Sequence, residues 1–392
     1  MTTRPASIDP LDFLDLDGDL SVEQRLLRQT VRSWVAERAL PRLPDLYERG
    51  EFPPEWPREL GALGLLGMQL DGYGLPGASA LSHGLACLEL EAGDSGLRSF
   101  VSVQGSLAMF AIVRYGSEEQ KARWLGPMAA GEALGCFALT EPDAGSDPAA
   151  MRTRAARDGA GWRLDGAKMW ITNGSRAHVA VVWAQTDEGV RGFLVPTDTP
   201  GVSTADMERK LSFRASVTSE LALDGVRLPG DAILPLAAGL RAPLSCLTEA
   251  RYGIVWGTVG AARACLESAL AYSGGRVQFG RPIAGFQLTQ AKLADMAAAV
   301  TTAGLLALRL ARLKDSGRLR PEHVSMGKLN NARSALAVAR TARTILGANG
   351  VTLEYPVMRH VANLETVLTY EGTHEIHALV VGRALTGISA FD

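Results

Sequence analysis

Near the carboxyl end of the chain, a glutamate stands between an aromatic residue and a Gly-Thr pair, in the stretch Thr369-Tyr370-Glu371-Gly372-Thr373. Gly372 allows a tight backbone bend, and Thr373 has the side chain of a helix N-cap. Apolar residues then recur at helical spacing, which predicts Glu371 at a helix entrance. In an apolar cleft its pKa would rise, and it would serve as a base near neutral pH. The competing interpretation is an ordinary solvated glutamate.

A second group that could do chemistry consists of Glu91, Arg98 and Ser102. These positions share one helical face if the helix is continuous, although Gly93 and Gly96 interrupt the pattern. An arginine in an apolar segment needs a carboxylate partner. Taken by themselves, the residues favour a structural pair of Arg98 with Glu91. The alternative is that Arg98 clamps the far end of a substrate and Ser102 adds a hydrogen bond.

Two short segments could bind a planar ring. Residues 136–147 are predicted to form a short strand that enters a turn rich in small residues, hydroxyls and acids. The hydroxyls of Thr140 and Ser146 could hydrogen-bond a heteroaromatic ring and a phosphate-bearing chain. Residues 168–174 add Trp170, whose indole could cover one ring face. The alternative for each segment is plain packing or turn chemistry in a β-domain.

A dinucleotide could also be bound without a nucleotide-binding βαβ unit. In the segment 276–282, Arg276 could hold a pyrophosphate, and Gln287 follows one short loop later. The Gly-rich segment 346–350 is either a helix C-cap or a place where a cofactor approaches the backbone. The segment 72–77 matches GxGxxG, but Pro76 and the flanking helices indicate an accidental match.

The composition of the 392-residue chain is that of a globular protein, with 47% hydrophobic and 21% charged residues. The net charge of −2 and the lack of a basic stripe argue against nucleic acid. No apolar run reaches the ~20 residues of a membrane span. The N-terminal Met1–Pro5 lacks an apolar signal core, so a cytoplasmic location is expected. The four scattered cysteines indicate reduced thiols, and His374 with His377 has no third metal ligand nearby.

The predicted fold is mainly α with a central β-domain. A helical domain is predicted for residues 1–130, a small antiparallel β-domain for 131–241 and a helical bundle for 242–392. The apolar spacing predicts helices over 22–40, 60–70, 81–92 and 97–115, then one starting at Ser117. In the last domain it predicts helices over 252–276, 287–315, 321–346 and 373–385. The apolar character of 296–313 on two sides suggests a bundle that meets other subunits.

These motifs, in this order, resemble those of the acyl-CoA dehydrogenase family over the whole chain from about Leu20. The stretches 137–147, 287–296 and 370–373 are similar to its two signatures and its catalytic-base segment. Within the family, the stretches 94–104, 249–254 and 370–391 most resemble the glutaryl-CoA dehydrogenase branch. The resemblance implies an N-terminal helical domain, a β-barrel-like middle domain, a C-terminal four-helix bundle and a homotetramer with FAD in each subunit.

The resemblance also implies roles for individual residues. Glu371 would remove the α-proton of an acyl-CoA thioester, and a backbone N–H near this base would hold the enolate oxygen. It reverses the interpretation of Arg98, which would hold the distal substrate carboxylate. Substrate contacts are implied for Glu91, Arg98, Ser99, Ser102, Ser146, Leu244, Arg251, Tyr370 and Gly372. FAD contacts are implied for Phe137, Leu139, Thr140, Gly145, Ser146, Trp170, Ile171, Thr172, Arg276, Phe279, Gln287, Thr344, Gly347, Ala348, Thr373 and Glu375.

The activity implied is FAD-dependent oxidation of glutaryl-CoA with decarboxylation to crotonyl-CoA, and Glu91 and Tyr370 favour the decarboxylating type. An electron-transferring flavoprotein is the implied acceptor. Leu97 departs from the Tyr frequent in related enzymes, which could reshape the distal pocket. The alternatives are dehydrogenation of another short or branched acyl-CoA, an oxidase that uses O2, and a non-catalytic acyl-CoA-binding protein. No metal is expected.

Overall fold

The computed structural model describes residues 8–390, so the expectations placed on Met1–Pro5 and Phe391 lie outside the described residues. The first third of the described chain, up to Ala129, is helical, as predicted. Its α-helices are α1 (Val22–Trp34), α2 (Leu43–Arg49), α3 (Trp56–Ala62), α4 (Ala80–Gly93), α5 (Ser95–Ser102), α6 (Phe110–Tyr115) and α7 (Glu118–Ala129). A π-helical turn at Val35–Ala39 extends α1, and another at Val103–Met109 joins α5 to α6.

Capping residues explain where several of these helices begin. Ser21 and Ser117 each form a capping box with the glutamine three residues later, and these boxes start α1 and α7. Asp94 is extended and ends α4, while its side chain accepts from the N–H of Gly96 at 2.7 Å and starts α5. The helix is therefore not continuous between Glu91 and Arg98. The condition for a single helical face is not met, and a corner between the two separately predicted helices brings these residues together instead.

The predicted helix over 60–70 was also wrong. The α3 helix starts earlier and ends at Ala62, because Gly64 and Gly67 then turn the chain with φ of 71° and 74°. The GxGxxG stretch forms a hairpin of two short strands, β1 (Asp71–Gly72) and β2 (Leu75–Pro76). No βαβ unit surrounds this hairpin, so it lacks the context of a dinucleotide-binding motif.

The middle of the chain is one curled sheet that forms a half-barrel. Its strands are β3 (Gly135–Ala138), β4 (Arg154–Asp158), β5 (Gly161–Thr172), β6 (Val179–Thr186), β7 (Gly189–Pro196), β8 (Val202–Asp206) and β9 (Thr218–Leu228). The predicted antiparallel sheet is only partly right, since β6 runs parallel to β3 and is bridged in parallel to β4. The other pairings are antiparallel.

The last part of the chain is a helical bundle. Its helices are α8 (Arg241–Gly275), α9 (Gln287–Asp315), α10 (Pro321–Leu346), α11 (Val357–Thr369) and α12 (His374–Thr386). A hairpin of β10 (Val277–Gln278) and β11 (Arg281–Pro282) connects α8 to α9. The α8 helix starts eleven residues before the predicted Tyr252, and neither α2 nor α11 was predicted.

The largest apolar core joins α4 to α8, α9, α10 and α11, so the N-terminal helices and the bundle share one interior. By length and composition alone, Ser95–Tyr115 and α9 could each span a membrane. The most apolar window of the first stretch is 89% buried inside the fold, the usual position of a core helix, and that of α9 is 39% buried. The mainly helical architecture with a barrel-like middle domain is confirmed.

Candidate active site

Glu371 lies at the corner between α11 and α12, as the sequence predicted. Thr373 caps α12 by accepting from the N–H of Ile376 at 3.3 Å. The backbone of Glu371 has φ of 52°, and that of Gly372 has φ of 95°. A left-handed conformation costs a residue with a side chain about 1–3 kcal/mol, so the surroundings must hold it in place. A Cβ at residue 372 would come within 3.0 Å of the His377 ring, which explains the glycine.

Two cationic side chains, the buried Lys328 and the half-buried Arg251, hold this corner by its carbonyl groups. Lys328 of α10 donates to the carbonyl oxygens of Tyr370 at 2.7 Å and Gly372 at 2.6 Å. Arg251 of α8 donates through Nε to the carbonyl oxygen of Glu371 at 2.6 Å. Three consecutive carbonyls therefore each accept from a cationic side chain. Arg251 was among the substrate-binding residues predicted from the sequence. Lys328 was not, because a lysine inside a helix gives no sign that it is buried.

The carboxylate of Glu371 is poised for proton transfer. Its Oε2 atom is buried and accepts no hydrogen bond from any group within residues 8–390. Burial raises the pKa of Glu371 above the ordinary range, against the opposing fields of Arg98, Lys328 and Arg251. A glutamate with a raised pKa and an unpaired oxygen can take a proton from a group placed beside it. The interpretation as an ordinary solvated glutamate does not fit this environment.

Arg98 lies fully buried beneath the same corner. Its Nε donates to Oε2 of Glu91 at 2.6 Å, and a short hydrogen bond joins its Nη2 to the Tyr370 hydroxyl. Its Nη1 lies 3.4 Å from the Ser102 hydroxyl. Tyr370 precedes Glu371 directly, so the guanidinium and the glutamate are coupled through one residue. The structural pair with Glu91 thus exists, and it lies inside the candidate site.

The cluster still has capacity for an anion. A guanidinium carries five N–H donors, and Arg98 uses three in the contacts above. Among residues 8–390, the carboxylates whose charge acts on Arg98, Arg251 and Lys328 are those of Glu91 and Glu371. Burial lowers the pKa of Lys328 to about 7, so the lysine is charged below that pH. Burying an uncompensated charge is costly, so this surplus favours a bound carboxylate. Glycines on α8 make room, because a Cβ at residue 257 would lie 1.9 Å from Oε2 of Glu91.

The predicted ring-binding turn after β3 is tied to β5 at several points. Lys168 donates to the carbonyl oxygen of Leu139 at 3.1 Å and to the carboxylate of Glu141 at 2.8 Å. The N–H of Met169 donates to the carbonyl oxygen of Thr140 at 2.9 Å. These bonds fix the backbone of the turn, in which Gly145 and Ser146 are exposed. Phe137 and Leu139 are buried in the core on the β3 side.

Trp170 leaves the sheet at a β-bulge. The pairing of β5 with β9 shifts register between Lys168 and Ile171, and Trp170 has φ of 63° with 59% of its surface exposed. Bulges commonly re-aim a side chain in this way, so the indole is free to cover a ligand. The Ile171 side chain, in contrast, packs in the β-domain core. Thr172 pairs with Thr218 at the strand end, and the cofactor contacts of Ile171 and Thr172 stay predictions.

A second group of predicted cofactor residues lies at another surface. It comprises exposed residues around the β10–β11 hairpin and the end of α10, namely Arg276, Phe279, Gln287, Thr344, Gly347 and Ala348. The amide of Asn349 donates to the Tyr272 hydroxyl at 3.1 Å, which joins the two segments. Within the described part of the chain, no hydrogen bond, ion pair or ring contact joins this group to the turn after β3. Phe279 is 95% exposed.

The remaining predicted residues occupy mixed positions. Leu244 and Arg251 lie seven residues apart on one face of α8, so Leu244 extends the site toward the surface. Ser99 is buried on α5, but no hydrogen bond of its hydroxyl to the cluster occurs in residues 8–390. Leu97 packs into the core of the N-terminal helices. Glu375 is exposed at the start of α12.

The histidine and cysteine side chains are spread through the described part of the fold. No group of three potential metal-ligating side chains occurs among residues 8–390. Nδ1 of His377 lies 3.1 Å from the Ser325 hydroxyl, inside the fold. The cysteines Cys87, Cys136, Cys246 and Cys265 are buried and free.

Comparison with known proteins decides the family. Models of the N-terminal, middle and C-terminal domains of acyl-CoA dehydrogenase match residues 21–132, 136–226 and 237–386 in that order. The chain belongs to the acyl-CoA dehydrogenase family. The crystal structure of a glutaryl-CoA dehydrogenase from Mycobacterium smegmatis in complex with FADH2 has 59% sequence identity and a TM-score of 0.97. The alignment covers 98% of this chain and 100% of that one.

Two further similar proteins carry names that specify different substrates, one glutaryl-CoA and the other short-chain acyl-CoA. A second structure of glutaryl-CoA dehydrogenase from Mycobacterium smegmatis has 63% identity and a TM-score of 0.97, with 98% and 100% of the two chains covered. The mitochondrial short-chain specific acyl-CoA dehydrogenase of Bos taurus is 37% identical over 373 residues, covering 93% of this chain and 90% of the relative. The enzyme is therefore an acyl-CoA dehydrogenase that uses FAD.

The residues present fit FAD. The tied turn after β3 offers backbone groups and hydroxyls beside the outward-facing Trp170, which suits a planar ring with polar edges. The exposed Arg276 suits a diphosphate. Oε2 of Glu371 accepts no hydrogen bond from residues 8–390, so it is open to a ligand. When bound, FAD accepts the hydride that the acyl chain loses.

Proposed function

We propose that the enzyme oxidises glutaryl-CoA and decarboxylates the product to crotonyl-CoA and CO2. The observation that carries this proposal is the buried Arg98, which shares the site of Glu371 and retains unused N–H donors. An acyl chain that ended in a methyl group would leave the guanidinium without an anion beyond Glu91. A chain that ends in a carboxylate would balance the surplus cation in this cluster.

In the first stage, Glu371 takes the α-proton of the thioester. Its raised pKa brings the carboxylate closer in basicity to a weakly acidic carbon, and its buried oxygen is not weakened by a competing hydrogen bond. The N–H of Glu371 is the donor available to the thioester oxygen, where negative charge develops as the proton leaves. Arg98 and Ser102 hold the far carboxylate, which fixes the acyl chain at both ends.

In the second stage, the oxidised product glutaconyl-CoA loses its distal carboxylate. The bond between that carboxylate and the chain breaks, its electron pair stays on the chain, and CO2 departs as a neutral molecule. The resulting dienolate is delocalised onto the thioester. Glu371, now protonated, returns its proton to the γ-carbon and gives crotonyl-CoA. Tyr370 and Glu91 keep Arg98 in place during both stages.

A second candidate is dehydrogenation of a short acyl-CoA without decarboxylation, favoured by relatives named as short-chain specific enzymes. A substrate panel separates the candidates. With FAD-loaded enzyme and an artificial electron acceptor, kcat/KM for glutaryl-CoA should exceed that for butyryl- and isobutyryl-CoA. The reverse order would select the second candidate. Peroxide formed rapidly in air would instead point to an oxidase.

We also propose a homotetramer and an electron-transferring flavoprotein as the natural acceptor. The exposed cofactor group around Phe279 and Arg276 is separate from the turn after β3, so a neighbouring subunit could complete each FAD site. Analytical ultracentrifugation of the FAD-loaded enzyme should give a mass of four chains. A monomer that holds FAD with full activity would refute the shared site. Reduction of purified electron-transferring flavoprotein by the enzyme and glutaryl-CoA tests the acceptor.

A further inference from the structure

Lys328 is fully buried and touches the catalytic corner. It projects from the middle of α10, and its ammonium lies between the carbonyl oxygens of Tyr370 and Gly372, at 2.7 Å and 2.6 Å. These two residues flank Glu371 on either side. Burying an ammonium costs free energy that two hydrogen bonds only offset. The position of Lys328 at this corner is therefore better explained by what it does to the backbone than by stability.

We propose that Lys328 is a positioning residue of the reaction, which holds the backbone so that Glu371 presents its carboxylate and its N–H to the thioester together. The inference rests on the proposed role of Glu371 as the base. Glu371 and Gly372 both have positive φ, a conformation that relaxes unless both ends are anchored. Lys328 holds the carbonyl of Tyr370, just before Glu371, and the carbonyl of Gly372, just after it. Arg251 anchors the carbonyl between them.

The direction of the Glu371 N–H follows from peptide geometry. A trans peptide is planar and points its C=O and N–H in opposite directions, and no cis peptide occurs in the described residues. Because Lys328 holds the carbonyl of Tyr370, the N–H of Glu371 in the same peptide points away from Lys328. That N–H makes no hydrogen bond to a protein group within residues 8–390. It is therefore left for a ligand oxygen.

The charge of Lys328 acts on the same glutamate. The charged or titratable groups that face Glu371 are Glu91 from α4, Arg98 from α5, Arg251 from α8, Lys328 from α10, His377 from α12 and the adjacent Tyr370. Burial raises the pKa of Glu371, while Arg98, Lys328 and Arg251 lower it. Removal of the Lys328 charge should therefore raise the pKa of Glu371 further.

The test compares Lys328→Met, which removes both hydrogen bonds and the charge, with Lys328→Arg, which keeps the charge. Lys121→Met is the matched control, since Lys121 pairs with Glu118 at the surface. Lys328→Met should lower kcat about 100-fold, the cost of misplacing a reacting group by ~1 Å, with KM nearly unchanged. The acid limb of its pH–rate profile should move to higher pH, and Lys328→Arg should leave that limb near its original pH.

A readout without oxidation uses acetoacetyl-CoA, whose acidic α-proton can be removed to give an absorbing enolate. Lys328→Met should bind this enolate at least tenfold more weakly while it retains FAD and its melting temperature.

If Lys328→Met does not fold, Lys328→Gln keeps two N–H donors without the charge, and its acid limb should still shift. Wild-type kcat, acid limb and enolate binding in the folded variant would overturn the inference. Turnover that survives in Glu371→Gln would instead overturn the base assignment.

Discussion

At the residue scale, a single residue, Tyr370, links the catalytic base Glu371 to the substrate anchor Arg98. Tyr370 binds Arg98 through its hydroxyl, and the next residue is Glu371. The sequence allowed prediction of Glu371, Arg98 and Glu91 from residue type and local pattern. It did not allow prediction of Lys328, because only packing of α10 against the corner makes that lysine a ligand of two carbonyls. Strand alternation buries the side chain of Ile171, so its predicted cofactor contact stays a prediction.

Replacement of the base tests the first chemical step. Glu371→Gln removes the proton acceptor and preserves the shape of the side chain, so kcat should fall by about 100- to 10,000-fold. In the wild type, activity should rise with pH as Glu371 ionises, and the midpoint should lie above the ordinary glutamate pKa of 4.5 because burial raises the pKa. Stopped-flow absorbance of the flavin measures both effects. A Gln variant with unchanged kcat would contradict the role of Glu371.

Removal of the substrate anchor should change specificity more than chemistry. Arg98→Met alone would leave the buried Glu91 without its cationic partner, at a cost of about 3–5 kcal/mol, so Glu91→Gln accompanies it. The double variant should lose about 2 kcal/mol of binding to a substrate carboxylate, or about 30-fold in kcat/KM for glutaryl-CoA. Its kcat/KM for butyryl-CoA should change little, and an equal loss for both substrates would show a purely structural role.

At the element scale, long-range polar contacts hold the helices that position the site. Glu89 of α4 accepts from Arg28 and Arg32 of α1 and from Arg263 of α8. Spacing along the chain predicted α4 and most of α8, but not these contacts between helices. The interruption between the helices predicted over 81–92 and 97–115 was expected, but the capping role of Asp94 was not. The corner at Asp94 lets Arg98 of α5 pair with Glu91 of α4.

Glu89→Gln should destabilise the fold by about 3–5 kcal/mol, because Arg32 and Arg263 lose their carboxylate partner and Arg28 keeps only its pair with Asp17. Burial opposes ionisation of Glu89, but Arg263, Arg32 and Arg28 outweigh it and lower its pKa to about 2. Its stabilising contribution is therefore present above the unfolded-state pKa of 4.5 and disappears as pH falls from there toward about 2. Thermal melts from pH 7 to pH 3 should show a steeper loss for the wild type than for Glu89→Gln.

A matched control for that prediction is Glu55→Gln. Glu55 pairs with Arg42 at 2.6 Å, but both side chains are exposed. An exposed pair contributes about 0–1 kcal/mol, so this variant should melt close to the wild type. If Glu55→Gln and Glu89→Gln destabilised the protein equally, burial would not explain the importance of the Glu89 cluster.

At the scale of the whole molecule, the order of helical domain, β-domain and helical bundle was predictable because the apolar period changes along the chain. The half-barrel with its parallel pairings was not predictable, since strand order depends on contacts far apart in sequence. The cofactor residues separate into a tied turn after β3 and an exposed group near the β10–β11 hairpin. One chain therefore presents two partial surfaces, and their combination across subunits stays a prediction.

The most direct test of the central claim follows the distal carboxylate. Glutaryl-CoA labelled with ¹³C at that carboxylate is incubated with the FAD-loaded enzyme and an electron acceptor, and the products are analysed by mass spectrometry. Oxidative decarboxylation should give one labelled CO2 and one crotonyl-CoA for each two-electron reduction of the acceptor. Accumulation of labelled glutaconyl-CoA without CO2 would contradict decarboxylation. Absence of any reduction with glutaryl-CoA, in an enzyme that oxidises butyryl-CoA, would contradict the substrate as well.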